Sequence, residues 1–303
     1  MAIPNLVAKK AIFIQEFRDI IETKNVASPV STLIVSQAKY VESPFTSVGP
    51  AKAYTTQCVV PVATSSVSNE ELVLDRKIGN AITDCREELS YANFDVIGMY
   101  RRDLYGTVMA KQNKLTVADF VASATVVAGT EDLSTEAKVR GFLIRVQANH
   151  EQIVSTRATI DGGKVTRAPF EGKAFVMAGT AAYTAIVSQV SSVLSQSSEK
   201  GIGDLVKEAY GVKIINLGNA AANANRLIYG TAGVPVIAYR EDAIKVDMGE
   251  IVSEGTYTPT PSDIDLVTND PLIRKTWYMS AETKGRSIIF EDLKTLVSTR
   301  LMA

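Results

Sequence analysis

Residues 28–68 form a long, nearly uncharged segment, and this segment limits how the chain can fold. Only Lys39, Glu42 and Lys52 carry charge in these 41 positions, whereas 13 residues are Ser or Thr and 8 are Val. Such a composition favours extended β structure. A loop of this length is uncommon in a compact domain unless it has a function. We therefore predict a β arm whose covering surface belongs to another copy of the chain.

The composition excludes several classes of function. The 303 residues carry a net charge of −1 and no basic stripe, so we expect no binding of nucleic acid by electrostatic attraction. No apolar run approaches the ~20 residues of a membrane span, and no secretory signal peptide is expected. Cys58 and Cys85 have neither metal-ligand nor disulfide-framework spacing. A reducing compartment is the expected setting of synthesis.

The first half of the chain is predicted to contain two helices beside the arm. Phe13, Phe17 and Ile20 recur at helical spacing, which predicts a helix over residues 5–23. A capping-box pattern at 68–71 then predicts a helix start. Beyond it, apolar residues spaced four and three apart predict one long, thin helix over about 76–110. The residues of this seam are Ile78, Ile82, Cys85, Leu89, Ala92, Val96 and Met99.

The second half alternates shorter elements without a βαβα order, so the predicted fold class is α+β. Its predicted helices are 134–156, 180–196 with Thr180 as N-cap, and 203–210. Its predicted strands are 173–177, 212–216, 226–229, 234–239, 277–281 and 287–290, with a hairpin turn at 161–164 and an Asn/Ala-rich loop at 218–225.

We find no catalytic, cofactor or metal constellation in the sequence. His150, the only histidine, falls on the apolar face of its predicted helix and is interpreted as a satisfied core or boundary residue. Cys85 is interpreted as a small buried hydrophobe. The Gly201–Gly203 turn lacks the third glycine of a phosphate-binding loop. Asp263, Asp265 and Asp270 lack the spacing of a calcium loop.

The order of these elements resembles the tailed-bacteriophage major capsid protein, the Hong-Kong-type coat fold that encapsulins share. Three short sequence segments are also similar to that family: Asn225-Arg226-Leu227-Ile228-Tyr229-Gly230, Gly233-Val234-Pro235-Val236-Ile237-Ala238 and Trp277-Tyr278-Met279-Ser280-Ala281. The resemblance implies an N-terminal arm at 1–27, an extended β loop at 28–74, and a spine helix with a peripheral domain at 75–172. It further implies an axial domain at 173–271 and C-terminal strands returning to the peripheral domain at 272–303.

The function that the resemblance implies is structural rather than enzymatic. The chain would assemble with itself into hexamers and pentamers of an icosahedral shell that encloses the phage genome without sequence-specific binding. Because no long N-terminal coiled-coil segment is present, scaffolding would be a separate protein or dispensable. A portal and a decoration protein are the other partners implied, and the shell would be assembled in the host cytoplasm.

Two other functions stay open at this point. An encapsulin-type compartment would use the same fold and hold an enzyme cargo. A homo-oligomeric enzyme would wrap its arm around a partner and place a ligand in the loop at 218–225. A β-dominated tail or decoration protein is disfavoured by the predicted long helices.

Only contacts can be nominated as site residues. The arm, with its tip at residues 40–56, is expected to touch a neighbouring subunit, and the loop at 218–225 is expected to lie near a symmetry axis. The nominated residues are Tyr40, Phe45, Tyr54, Val59 and Val60 in the arm, with Asn219, Asn223 and Asn225 in the loop.

Overall fold

Four α-helices lie in the part of the chain that the computed structural model describes. That part comprises residues 4–48, 65–85, 96–156, 172–190, 195–196, 206–252 and 275–303. The helices are α1 (Pro4–Lys24), α2 (Val96–Ser123), α3 (Glu136–Thr156) and α4 (Thr180–Gln189). The first and third confirm the predicted helices at 5–23 and 134–156. None of the four is both long and apolar enough to cross a membrane.

A five-stranded sheet is organised around one long C-terminal strand, β13 (Lys275–Ile288). This strand pairs antiparallel with three others: two flank residues 275–284 on its two edges, and the third pairs with residues 285–288. A fifth strand joins at the edge in parallel orientation. The other members are β1 (Thr32–Ser36), β4 (Lys77–Cys85), β11 (Val236–Arg240) and β12 (Lys245–Val252).

A seven-stranded mixed sheet forms the second layer. Its order is β5-β14-β10-β6-β9-β8-β7, so strands distant in sequence lie side by side at its centre. The central strand β6 is fully buried at all five positions, packed between helices and the rest of the core. The members are β5 (Thr125–Glu131), β6 (Ala174–Ala178), β7 (Ser195–Gln196), β8 (Val206–Ala209), β9 (Val212–Asn216), β10 (Arg226–Thr231) and β14 (Val297–Met302).

A separate two-stranded hairpin consists of β2 (Tyr40–Val48) and β3 (Ser65–Val73). It packs on one face of the five-stranded sheet, and α1 and α2 pack on the other. Successive residues of β11 show this two-sided packing, because side chains alternate between the two faces of a strand. Val236 and Ala238 join the cluster under the hairpin, whereas Ile237 and Tyr239 join the cluster under α2.

The predicted long helix over 76–110 is wrong in its first third. Residues 77–85 form strand β4, paired along its full length with β13, and the helix that follows extends to Ser123. Ile78 and Ile82 are four apart, which fits one helical face but also one strand face, because four is a multiple of two. Residues 86–95, which contain Leu89 and Ala92 of the predicted seam, lie outside the described residues.

The capping-box prediction at 68–71 is also wrong, because these residues lie in β3. There the Glu70 side chain accepts a hydrogen bond from the backbone N–H of Glu291, 2.9 Å away. A carboxylate that satisfies a backbone donor is what the motif predicted. The donor belongs to a segment more than two hundred residues further along the chain, which local spacing cannot reveal.

Other predicted elements need smaller corrections. The helix predicted at 180–196 ends at Gln189, and its N-cap is Gly179 rather than Thr180. Residues 206–209 of the predicted helix at 203–210 are strand, paired with β9. The two strands predicted at 277–281 and 287–290 are one continuous strand, β13. The strands predicted at 173–177, 212–216, 226–229 and 234–239 are confirmed within two residues.

Candidate inter-subunit surfaces

The base of the hairpin is anchored on its own chain. Residues directly opposite in an antiparallel pair share one face, and Val41 is opposite Leu72 on the inner face. Leu72 and the following Leu74 are 3% and 0% exposed, in a cluster with Phe290. The prediction that the whole arm needs a neighbour for burial is therefore wrong at its base, which this chain covers itself.

The outer face of the same hairpin is exposed to solvent and carries two distinct pairs. Tyr40 is opposite Val73, and their exposed fractions are 44% and 36%. One step along the same face, Glu42 is opposite Glu71, and both are exposed. Like charges directly opposite on a sheet are destabilising. This face thus combines exposed apolar area with an unfavourable pair of carboxylates.

The predicted arm contacts fall in different places. Tyr40 lies on the exposed outer face. Phe45 belongs to β2, opposite Ser68. Tyr54, Val59 and Val60 lie outside the described residues. Sequence inspection missed the Glu42–Glu71 pair, because their register depends on the hairpin pairing.

The Asn/Ala-rich loop at 218–225 is confirmed as a loop, and its C-terminal half is held by backbone hydrogen bonds. The carbonyl of Ala224 accepts from the N–H groups of Ala181 and Ala182, at 3.0 and 3.2 Å. These donors belong to the first turn of α4, where helices have no internal acceptors. The carbonyl of Asn225 accepts from the N–H of Met302, 2.8 Å away in β14.

The other half of the loop rests on α2. Residues 218–220 form a 3₁₀ turn in which Gly218 has a φ of +50°, a conformation that favours glycine. Asn216 Oδ1 accepts from the N–H of Gly218 at 2.8 Å, and Ala220 is buried. The loop is therefore fixed at both ends, while its middle projects from the surface.

The three predicted loop asparagines differ in their roles. Asn223 stabilises the loop itself, because its Oδ1 accepts from the N–H of Asn225 at 2.9 Å and its carbonyl accepts from Arg226 at 3.0 Å. Asn225 is half-buried, and both Asn219 and Asn223 are exposed. Asn219 is exposed, and its side chain forms no hydrogen bond with a described residue. It is the asparagine best placed for an external contact.

A groove runs between the flank of α2 and this loop. It consists of two adjoining cavities of about 520 and 240 Å³ that share Lys114, Asn219 and Ala220. Lys114 and Arg226 are the cations that line the larger cavity. Its apolar wall is formed by Val117, Ala118, Val121, Ala220, Ala221 and Ala222. We call this concave surface the basic groove.

His150 occupies the boundary position expected for it. The residue is 9% exposed, and its Nδ1 lies 3.2 Å from Thr231 Oγ1. Burial lowers the pKa of the imidazole, and the neighbouring Glu151 raises it by a smaller amount. A general base needs a positioned partner that orients it, whereas this ring bonds a hydroxyl. Within the described ranges no cluster of three or more His, Cys, Asp or Glu residues could hold a metal ion.

No protein-family model and no curated protein matches the sequence. Solved structures do match, with sequence identities of 8 to 12%. The capsid of cyanophage P-SCSP1u has a TM-score of 0.56 at 9% identity, covering 90% of this chain and 86% of that chain. A virus-like particle from Pyrococcus furiosus has a TM-score of 0.54 at 8% identity, covering 96% and 99%.

The capsid of a native gene transfer agent (GTA) particle is similar to the same degree. Its TM-score is 0.53 at 12% identity, with 92% of this chain and 90% of that chain covered. Identities this low establish the fold rather than the function. The chain therefore has the mixed α+β fold of phage capsid proteins, as the order of its elements predicted.

Proposed function

We propose that this protein is a structural coat subunit, the major capsid protein of an icosahedral phage shell. The observation that carries the proposal is the match of nearly the whole chain to nearly the whole of a phage capsid chain. The α-helices, both sheets and the projecting hairpin are all part of one fold, so no further domain is needed to explain the chain. Self-assembly into hexamers and pentamers is the mode of action.

The exposed outer face of the hairpin supports this role. An extended arm covers area on a neighbour while its base stays fixed, which suits a subunit with different neighbours in hexamers and pentamers. Obligate assemblies bury roughly 2,000–5,000 Å² per interface. When many neighbours share that area, individually weak contacts become a durable shell through multivalency.

We assign the parts of the fold as follows: an N-terminal arm at 1–27, the extended loop at 28–74, the spine helix and peripheral domain at 75–172, the axial domain at 173–271, and the returning strands at 272–303. Helix α2 is the spine helix in this division. The arm base carries the exposed Tyr40, and the loop carrying Asn219 is placed near a capsomer axis.

The further partners in this proposal are a separate scaffolding protein, a portal and a decoration protein. The shell encloses DNA, and the net charge of −1 suits an inner wall that does not hold its cargo tightly. The location is the virion capsid, with assembly in the host cytoplasm.

A protein compartment of the encapsulin type is the second candidate. The similarity to the Pyrococcus furiosus virus-like particle favours it, because 99% of that chain is covered. A compartment and a capsid share the subunit fold and differ in their contents, an enzyme cargo or a genome. An enzymatic function of the loop at 218–225 has less support, because that loop is fixed by backbone hydrogen bonds at both ends.

The test is negative-stain electron microscopy with mass photometry on the purified chain, alone and with proteins co-expressed from neighbouring genes. Closed shells, or rings of six and five subunits, are the expected result. Nucleic acid inside the particles favours the capsid, and an enzyme inside favours the compartment. A discrete dimer or tetramer under every condition would rule out both.

A further inference from the structure

The carboxylates on the outer face of the hairpin lack a cation within the described part of the chain. Glu42 and Glu71 are directly opposite, and neither forms an ion pair with a described residue. By contrast, Glu70 on the inner face bonds the backbone of Glu291. Two facing carboxylates beside the exposed Tyr40 and Val73 form an acidic and apolar surface, which we call the acidic hairpin face.

The basic groove has the opposite charge. Lys114 lines the groove, and Lys111 lies outside the lining, three residues earlier on the same face of α2. Both lysines are exposed. Neither pairs with a carboxylate among the described residues. Among the described residues, the Arg226 side chain donates one long hydrogen bond, 3.4 Å, to Thr299 Oγ1. The groove therefore offers cations at its rim and an apolar wall.

The two surfaces lie on opposite sides of the five-stranded sheet and so cannot meet within one chain. The hairpin base packs over Val236 and Ala238, and α2 packs over Ile237 and Tyr239. A surface that meets a different, complementary surface on the next copy makes a heterologous contact, which generates rings or extended arrays. A two-fold dimer, in which one patch meets itself, would place carboxylate against carboxylate.

The spacings of the two surfaces also agree. Glu42 and Glu71 are directly opposite on adjacent strands, which places their Cα atoms roughly 5 Å apart. On α2, Lys111 and Lys114 are separated by about 4.5 Å along the helix axis at 1.5 Å per residue. Long lysine side chains cover the difference, because their ammonium groups move on flexible stems.

We propose that the acidic hairpin face of one copy docks against the basic groove of the next copy and the adjoining face of its α2, with Glu42 and Glu71 facing Lys111 and Lys114. This inference rests on the proposed function and specifies which surfaces of neighbouring subunits meet. Complementary charges at such a contact set the register and exclude wrong pairings. Tyr40 and Val73 supply the apolar area that is buried beside them.

Charge reversal tests the contact. One variant carries Glu42→Lys and Glu71→Lys, a second carries Lys111→Glu and Lys114→Glu, and a third carries all four substitutions. A control with Glu22→Lys and Glu151→Lys changes the net charge as much as the first variant, at exposed positions on α1 and α3. Circular dichroism and thermal unfolding of each dissociated chain establish that it is folded.

The first two variants are each expected to raise the concentration needed for assembly by at least about tenfold, because like charges then face each other across the contact. The four-substitution variant is expected to recover assembly, because complementary charges then face each other again. The control is expected to assemble like the wild type. Recovery by compensation isolates the pairwise interaction from the individual losses.

Three results would overturn the inference. Normal assembly of either reversal variant would show that the surfaces do not meet. Loss without recovery in the four-substitution variant would show that each surface meets some other partner. Failure of the wild-type chain to assemble under any condition would reject the proposed function and this contact together, whereas the first two results leave the proposed function intact.

Discussion

Arg76 donates two hydrogen bonds to Asp119, at 2.8 and 3.0 Å, and so joins the segment after the hairpin to the C-terminal end of α2. Asp119 also accepts a weaker hydrogen bond from the backbone N–H of Ser287 in β13. The side chains of Arg76 and Asp119 are 29% and 17% exposed. This carboxylate thus links the hairpin base, the helix and the longest strand of the five-stranded sheet.

Replacing Arg76 with Ala is expected to lower the free energy of unfolding by about 2–3 kcal/mol, because a charged, paired hydrogen bond is lost and Asp119 stays partly buried. Urea unfolding of the dissociated chain measures the change. Arg286→Ala is the matched control. Its pairing with Asp75 is 3.6 Å long and more exposed, and its loss should cost less than about 1 kcal/mol. Equal losses in the two variants would contradict this assignment.

Replacing either of two glycines with Ala is expected to change stability, in opposite directions. A Cβ at Gly179 would lie 2.6 Å from the carbonyl oxygen of Ala224 and 2.7 Å from that of Asn223. Gly179→Ala should therefore displace the loop from α4 and cost about 1–3 kcal/mol in the free energy of unfolding. At Gly106 in α2 a Cβ meets nothing within 4 Å. Gly106→Ala should stabilise the chain by about 1 kcal/mol.

Thermal unfolding distinguishes these two outcomes, since one melting temperature should fall and the other should rise. If Gly179→Ala leaves the melting temperature unchanged, the loop is less firmly held by α4 than its hydrogen bonds indicate. Assembly assays on both variants then report whether the position of the loop matters for neighbouring subunits.

Parts of the fold could be predicted from local sequence because their side chains follow one period. In α1 and α3 the buried positions recur at helical spacing, and in β6 a short apolar run fits a fully buried strand. The extent of α2 was missed because Gln112 and Thr116 interrupt its apolar face. Both are nonetheless buried, with Thr116 bonded to Ser287 of β13 at 3.1 Å.

The surfaces were harder to predict than the elements. Composition predicted extended β structure for the arm and a loop at 218–225, and both are observed among the described residues. The pairing of Glu42 with Glu71 depends on a register between strands separated by the arm tip, and the groove depends on α2 packing beside a loop a hundred residues later. Tertiary contacts between distant segments determine the carboxylate pair and the groove, and local sequence patterns do not reveal such contacts.

Val59 and Val60 of the arm are expected to act in assembly rather than in folding. Val59→Asp or Val60→Asp should block assembly while leaving the unfolding of the dissociated chain unchanged, because these residues are predicted to contact a neighbour. Leu74→Ala is the opposite case. Leu74 is fully buried under the hairpin, and its truncation should cost about 2–5 kcal/mol in the free energy of unfolding. Electron microscopy and urea titration of the same preparations separate the two effects.

Normal particles from either valine variant would count against a contact of these two residues with a neighbouring subunit. A large fall in the unfolding free energy of Val59→Asp would instead assign that valine to the core of its own subunit.

The pH dependence of stability should contain a contribution from His150. Burial lowers the pKa of this imidazole in the folded chain, and it takes its ordinary value, about 6.5, when unfolded. Between the two values the unfolded chain binds more protons, so stability rises with pH in that window. The stabilisation is complete above the unfolded pKa and is lost as the pH falls from about 6.5 towards the folded pKa. Urea unfolding of wild type and His150→Gln at pH 7.5, 6.5 and 5.5 measures the difference. The wild type should lose stability relative to the variant as the pH falls, and parallel pH profiles would show that His150 is not the group responsible.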